Sequence, residues 1–497
     1  MATDFASDRR ALLKAAAITI MMPTPLLAAS ATPPVADSFI RAINGSAEDR
    51  HTWLALHMSP AGLKRQPLEE AARLLDGISL RSGGLSLLDV AAEPGRLLLK
   101  VKSSKGGKVR TAQLRPDRDD ASKLYGLPDM ATPMSYARRL IEVPVSRSKL
   151  REAILHRIRF AAIHDEFSGA VRVVAPDGET LVDAAFGFAD QEAGERNSIE
   201  HRFNLGSADK SFTAILVGRL VEQGRLSFDA RVIDILPEYA NRAAAEKVTV
   251  RHLLTHSAGL GDLWSRPGFS RDTDYARVSD IVPSFWDAAP FFEPGSRYAY
   301  SNEGYVLLGA IIEKVTGRDW WSELAEHIYA PAGMRRSAHF LNTDSAPLRA
   351  IGYKLQLGDV LALEDRVADR SRVAGHSGNS CGGGYSTVAD MTAYLRALRE
   401  GRLMSREMTE QMTMAVPHGL EVTGLGVREK YGMGFTFNRF HDRTIRGHGG
   451  GGPFSGIDGR SGIVWETGWA YSILGNYDSP YAAAVALDIA YMLASQD

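Results

Sequence analysis

The hydrophobic and polar positions of this chain fall into two unequal parts with different rhythms. Between about Pro34 and Pro128, apolar residues first recur at helical spacing in three segments, Ala36–Ile43, Glu48–His57 and Pro67–Leu75. Three strand-like runs follow, Leu85–Val90, Arg96–Val101 and Lys108–Leu114, set apart by Pro-Gly and Gly-Gly turns. Helices followed by a meander predict a small α+β domain, residues 32–128. A stretch with Pro133 and Pro144, residues 129–148, reads as a linker. The larger part, residues 149–497, opens with an amphipathic helix over Lys149–Ile163. Two strands, Gly169–Val174 and Leu181–Phe186, then flank the hairpin signal Pro176-Asp-Gly178. A helical and loop-rich middle runs to about Gly401. Strand patterns return at Gly434–Phe437, Gly462–Glu466 and Trp469–Leu474, and a last helix is predicted from Ser479-Pro480, read as cap and first helical position, through Leu493. Strands and a helix at both ends imply an α+β fold: one antiparallel sheet completed by both termini, flanked by helices, with a helical insertion.

The first thirty residues carry a different signal. Arg9-Arg10-Ala-Leu-Leu-Lys14 is a twin-arginine pattern; the apolar run from Ala15 to Ala29 is broken by Pro23 and Pro25, and Ala29-Ser30-Ala31 offers small residues for cleavage. The run is shorter than the ~20 residues a membrane span needs. Residues 1–31 are therefore expected to be a signal peptide for twin-arginine export to a bacterial periplasm, leaving no stable membrane anchor. The formal net charge of −1 gives no case for nucleic acid or anionic lipid as a partner. Cys381 is the sole cysteine, so neither an internal disulfide nor a cysteine-based metal cluster is possible. The thirteen histidines are dispersed with no H-E-x-x-H pattern, and His252 and His256, four apart, lack a nearby acidic ligand; both read as structural, and no metal or other cofactor is expected.

The chemistry gathers around Phe203-Asn-Leu-Gly-Ser-Ala-Asp-Lys-Ser-Phe212. Ser207 and Lys210 are three apart, and Phe212, Ile215, Leu216 and Leu220 continue at helical spacing to Gly224. Ser207 is thus expected in the first turn of a largely buried helix, at its positive end, with an amine one turn on. A serine hydroxyl is a weak nucleophile until a base lies within hydrogen-bond reach, and this spacing supplies one. The same S-x-x-K spacing at Ser146–Lys149 opens a charged stretch and reads as a solvated helix start. Gly378-Asn-Ser380-Cys-Gly382 fits the G-x-S-x-G nucleophile elbow. However, a charged segment precedes it and glycines follow it, where that motif needs a buried strand and a helix.

Further segments complete a pattern with Ser207: Tyr300-Ser301-Asn302, Gly447-His-Gly-Gly-Gly-Gly-Pro453, Val250-Arg-His-Leu-Leu-Thr-His-Ser-Ala-Gly-Leu260, Gly382-Gly-Gly-Tyr-Ser-Thr387 and Ala350-Ile-Gly-Tyr353. Together these resemble the serine beta-lactamase and penicillin-binding superfamily. The branch they resemble most holds class C beta-lactamases, D-alanyl-D-alanine carboxypeptidases, D-aminopeptidases and related esterases. The resemblance spans about Leu150 to Leu493 and leaves out the N-terminal domain, which looks somewhat like the ketosteroid-isomerase-like fold without its catalytic carboxylates. It implies Ser207 as nucleophile, Lys210 and Tyr300 in proton transfer, and Asn302, His448, Gly449 and Gly450 as substrate contacts. It also implies an oxyanion hole from the N–H groups of Ser207 and Gly451. His448 stands where penicillinases generally carry a lysine that meets the substrate carboxylate, which favours an esterase or D-amino-acid peptidase over beta-lactam hydrolysis. A small-molecule or peptide substrate is expected.

Overall fold

The computed structural model describes residues 34–496, apart from 66–67, 94–95, 105–108, 118–119, 121, 127–144, 164–165, 267, 271–272, 340–346, 355–365, 370–377, 414–428 and 453–454. The expected signal peptide and most of the expected linker lie outside the described residues.

Helices α1 (Pro34–Asn44), α2 (Ala47–His57), α3 (Pro60–Arg65) and α4 (Leu68–Ser82) precede a meander of β1 (Leu85–Glu93), β2 (Arg96–Ser103), β3 (Val109–Pro116) and β4 (Leu124–Gly126). Ser46 starts α2 with a reciprocal cap: its hydroxyl accepts from the Asp49 N–H while the Asp49 carboxylate accepts from the Ser46 N–H. Phe39, Trp53, Leu54, Leu75, Leu99, Val101 and Leu114 form a core of this segment's own.

The second part begins with α5 (Arg147–Ile163) and the hairpin β5 (Gly169–Val174) and β6 (Thr180–Phe186). The chain then builds α6 (Asp209–Glu222), α7 (Asn302–Thr316) and α8 (Val388–Arg399) among short elements. It returns through β7 (Glu429–Tyr431), β8 (Thr436–Phe440), β9 (Arg443–Gly452), β10 (Ile457–Val464) and β11 (Ala470–Gly475) to α9 (Tyr481–Ala494). The sheet order is β7-β8-β9-β10-β11-β5-β6, antiparallel throughout. The two ends of this part meet where β11 pairs β5, from Ala470 opposite Val174 to Gly475 opposite Gly169, as the sequence pattern implies.

Period-two alternation divides the side chains between two cores. Val171, Val173, Tyr471 and Ile473 face α5 and α9, packing with Ile154, Ile158, Val485 and Ile489. Ala170, Ala470 and Leu474 face the opposite layer with Phe212, Ile215, Leu395 and Leu398. Full burial of each Val, Leu, Ile or Phe side chain among them contributes about 1.5–3 kcal/mol. Arg157 of α5 and Asp488 of α9, 2.5 Å apart, join the two outer helices by a buried ion pair.

Two local expectations need correction. Pro480 is the N-cap of α9 rather than its first helical residue, and no side-chain hydrogen bond comes from the N-cap itself. The free N–H groups of Ala482 and Ala483 instead donate to the Asp458 carboxylate on β10, so the cap is supplied across the sheet. The second correction concerns strands: the C-terminal part contributes five, and the longest, β9, covers the glycine run that carries no strand pattern in sequence.

Candidate active site

Ser207 sits in a 3₁₀ turn, Gly206–Ala208, that leads straight into α6. The Asn204 side chain accepts from the Gly206 N–H at 2.8 Å, closing a tight turn before the serine. Gly206 has φ of +50°, and a Cβ there would lie 2.9 Å from the Gly451 nitrogen. Glycine is required on both counts. The turn is tied from behind by the glycine run after Cys381. The Leu205 N–H donates to the Gly384 carbonyl, the Gly383 N–H to the Gly206 carbonyl, and buried Asp209 accepts from the Gly384 N–H at 2.6 Å.

Lys210 lies in the first turn of α6 and is fully buried. Its ammonium reaches three acceptors: Ser207 Oγ at 3.2 Å, Asn302 Oδ1 at 2.7 Å and the Cys381 carbonyl at 2.5 Å. Those bonds offset the desolvation of a buried amine and fix its position. Tyr300 and Asn302 arrive together because Ser301, between them, is extended at φ −138°, ψ 123°. The two side chains project to one side while Ser301 turns away and caps α7 through the Gly304 N–H. The Tyr300 hydroxyl donates to Ser207 Oγ at 2.7 Å, and the residue is 42% exposed, so it is not a core tyrosine. Asn302 is oriented from both ends: its oxygen accepts from Lys210, and its nitrogen donates to Asp262 at 2.8 Å. A donor-only lysine and an acceptor-only carboxylate fix that amide's orientation.

His256, read from sequence as structural, holds Tyr300 in place. Its carbonyl accepts from the Ala299 N–H and its Nδ1 from the Ser301 N–H at 3.1 Å, clamping both flanks of Tyr300. Its ring centroid lies 4.3 Å from that of Tyr300. Burial, reinforced by the charge of Lys210, holds this imidazole well below the usual histidine range, so it stays neutral.

The glycine strand β9 runs against the Ser207 turn. A Cβ on Gly450 would lie 1.8 Å from the Leu205 carbonyl and 2.7 Å from the Ser207 nitrogen. Beside the turn opens a pocket of about 560 Å³, lined among others by Ser207, Asp262, Trp264, Asn302, Gly382 and Gly451. Among the described lining residues are Gly451 and Gly452 but not His448, Gly449 or Gly450. His448 is buried and turned inward. Its Nδ1 lies 2.5 Å from the Gly449 carbonyl, which makes that nitrogen the donor, and its Nε2 lies 3.1 Å from the Tyr431 hydroxyl. Burial, with the Lys210 charge adding to it, pushes His448 down to about 4.

Ser380 of the elbow-like motif has no exposed surface and packs against Gly309 of α7, yet its neighbours Asn379, Cys381 and Gly382 line the pocket. Ser146 and Lys149 sit at the exposed start of α5. Among the described residues, no helix is long and apolar enough to cross a membrane, and no group of three or more His, Cys, Asp or Glu residues is placed to hold a metal ion. The residues that sequence reading missed are Asp262, Tyr431 and the Cys381 carbonyl. Asp262 lies just past the Val250–Leu260 stretch, three residues beyond Gly259, but an isolated aspartate in a loop carries no signal of its own.

A hydroxyl with an amine and a phenol at hydrogen-bond distance, beside a glycine strand edge and an open pocket, can attack an acyl carbon and pass its proton on. Comparison with known proteins finds relatives named as hydrolases. Esterase EstB of Burkholderia gladioli is 36% identical over 181 residues, 34% of this chain and 46% of the esterase. The D-aminopeptidase of Brucella anthropi is 28% identical over 288 residues, 57% of this chain and 51% of the peptidase. The chain thus spans about half the length of these curated relatives. The crystal structure of a penicillin-binding protein from Bacillus halodurans superposes with a TM-score of 0.57 at 26% identity, covering 67% of this chain and 98% of that one. The profile of the Beta-lactamase family matches residues 157–494, which include every residue of the Ser207 site, and the chain belongs to that family.

Proposed function

We propose that this protein is an exported serine hydrolase that cleaves an ester or amide through an acyl-enzyme on Ser207. The observation that carries the reading is the convergence on one hydroxyl: Tyr300 Oη at 2.7 Å and Lys210 Nζ at 3.2 Å from Ser207 Oγ. In the reacting form Tyr300 is a phenolate beside the Lys210 cation, and Ser207 Oγ bonds to the acyl carbon as its proton passes to Tyr300 Oη. The tetrahedral oxygen is held by the N–H groups of Ser207 and Gly451, and the leaving group departs with the returned proton. Water then repeats the cycle on the acyl-enzyme. Asn302 contacts the substrate amide from the pocket wall. The relatives named as an esterase and a D-aminopeptidase support this substrate range, and the twin-arginine stretch supports export.

Beta-lactam turnover is the competing reading. The geometry argues against it: His448 is neutral and engaged with Tyr431 and Gly449, so it offers no cation to a substrate carboxylate. Steady-state hydrolysis of p-nitrophenyl acetate, alanine p-nitroanilide of either hand and benzylpenicillin separates the two. The proposal expects kcat/KM for the ester or an anilide to exceed that for the penicillin. Faster penicillin hydrolysis would make the protein a beta-lactamase. Stoichiometric acylation by penicillin without turnover of any substrate would make it a penicillin-binding protein.

A further inference from the structure

A second cavity, of about 520 Å³, adjoins the Ser207 pocket, and Tyr275 lines both. One wall comes from an unusual helical segment. The helix Trp320–Leu324 runs on into a π-helical turn, Ala325–Tyr329. In an α-helix, with its 3.6 residues per turn, positions four apart drift round the surface. The wider π turn keeps Tyr329 in line with Ala325 and Trp321, and all three line the cavity. Such turns are rare and frequent at functional sites. Tyr329 is braced edge-on by Phe212 of α6 at 6.0 Å, and Tyr275 is stacked on Phe269 of the first pocket, also at 6.0 Å. Ala276, Ala325 and Ala338 have side chains too small to close the space between these rings.

The polar side chains of this wall are already engaged. The Trp321 indole N–H donates to the Gly378 carbonyl at 3.0 Å, and the Ser337 hydroxyl to the Asp390 carboxylate at 2.8 Å. His339 Nε2 donates to Asp209 at 3.2 Å, which leaves its Nδ1 to accept from the Tyr329 hydroxyl at 3.3 Å. The Tyr275 hydroxyl accepts from the Ser270 N–H at 3.2 Å. Among the described lining residues there is no Asp, Glu, Lys or Arg. An occupant is therefore held by apolar contact with Trp321, Tyr329 and Tyr275, and a charged group finds no counter-charge there. An apolar cavity of about 150 Å³ takes a benzene ring, so this one has room for a ring together with the chain that carries it. The wall is also continuous with the first pocket: Gly378, held by Trp321, lines that pocket, and Asp209, held by His339, lies between Ser207 and Lys210.

We infer that this second cavity is the distal part of the substrate cleft, taking an uncharged aromatic group carried several bonds from the scissile carbonyl, with Tyr275 at the passage between the two. The inference rests on the acyl-transfer reading above and narrows its substrates to esters and amides with such a remote apolar group.

The test compares long and short esters in two pairs, one for each side of the scissile bond: p-nitrophenyl 6-phenylhexanoate against p-nitrophenyl phenylacetate, and 6-phenylhexyl acetate against benzyl acetate. For the unaltered protein kcat/KM of the long ester exceeds that of the short one at least tenfold in one pair, because burial of the remote ring is spent on the reaction. Ala325→Trp and Ala276→Trp fill the cavity from two separate segments, and both alanines are exposed, so the core is left intact. Each brings the ratio down to about one. Any effect passed through Asp209 to the Ser207 turn acts on both esters and cancels in the ratio. A ratio near one for the unaltered protein in both pairs, with the short esters cleaved, would overturn the inference while leaving acyl transfer standing. So would a high ratio that survives both tryptophans, which would place the ring elsewhere. Acceleration of p-nitrophenyl acetate hydrolysis by free 6-phenylhexanol would make the cavity an effector site and equally overturn it. Failure to cleave any of the esters would overturn the acyl-transfer reading and this inference with it.

Discussion

Gly450→Ala adds one methyl group at the closest approach between the glycine strand and the nucleophile turn. That methyl would lie 1.8 Å from the Leu205 carbonyl oxygen, whereas real Cβ atoms essentially never come within 3.0 Å of a neighbour. Both atoms facing the methyl, Leu205 O and Ser207 N, belong to backbone, so no side chain can swing aside. The strand edge and the turn must separate by at least about 1.2 Å. Overpacking of this kind costs about 1–3 kcal/mol of stability. A displacement of about 1 Å at a reacting centre costs on the order of 10²-fold in rate, because the proposed oxyanion hole needs the N–H groups of Ser207 and Gly451 to share one oxygen. The expected result is a folded protein with kcat lowered about a hundredfold or more on p-nitrophenyl acetate. Gly452→Ala is the matched control: it lies two residues along the same strand and face, and a Cβ there has nothing within 4 Å. It should stay within about tenfold of the parent. Gly450→Ala with full activity would mean that β9 does not abut the Ser207 turn, and the oxyanion assignment would fall.

Tyr300→Phe keeps the ring and its tilted contact with His256 but removes the hydroxyl at 2.7 Å from Ser207. It should lower kcat by ~10²–10⁴ with little change in melting temperature; activity within a few-fold would remove Tyr300 from proton transfer. The pH dependence of stability reports on His448. It titrates near 6.5 when unfolded and is pushed down to about 4 in the fold, so between these values the unfolded chain binds more protons. Its contribution is present above pH 6.5 and lost as pH falls, by about 2 kcal/mol at pH 5. His448→Gln should therefore lose less stability than the parent between pH 7.5 and pH 5 in denaturant titrations; parallel losses would mean that the ring is not desolvated.

The sheet was legible where apolar and polar residues alternate. β5, β6 and β11 announce themselves that way and β10 only in its last residues, and the closure of the sheet by both chain ends followed from their placement. Strand β9 did not, because glycines supply neither β-propensity nor a side-chain pattern; its pairing with β10 is imposed by the neighbours, from Ile445 opposite Val464 to Gly452 opposite Ile457. The start of α9 was misread for a related reason, since its cap, Asp458, comes from a strand rather than from the preceding residues. Within the site, motif spacing brought out Ser207, Lys210, Tyr300 and Asn302, which the fold draws into one hydrogen-bonded group. The inward turn of His448 was not readable, because it depends on Tyr431, seventeen residues away on another strand. Asp262 was equally silent, as its meaning arises only when α7 brings Asn302 beside it.

The central claim, a covalent acyl-enzyme on Ser207, is tested most directly by acid-quenching the protein during turnover of a p-nitrophenyl ester and mapping the added acyl mass by peptide mass spectrometry. The account predicts the acyl group on the peptide carrying Ser207, and neither adduct nor turnover in Ser207→Ala. An adduct on Ser380, or hydrolysis that persists in Ser207→Ala, would contradict it.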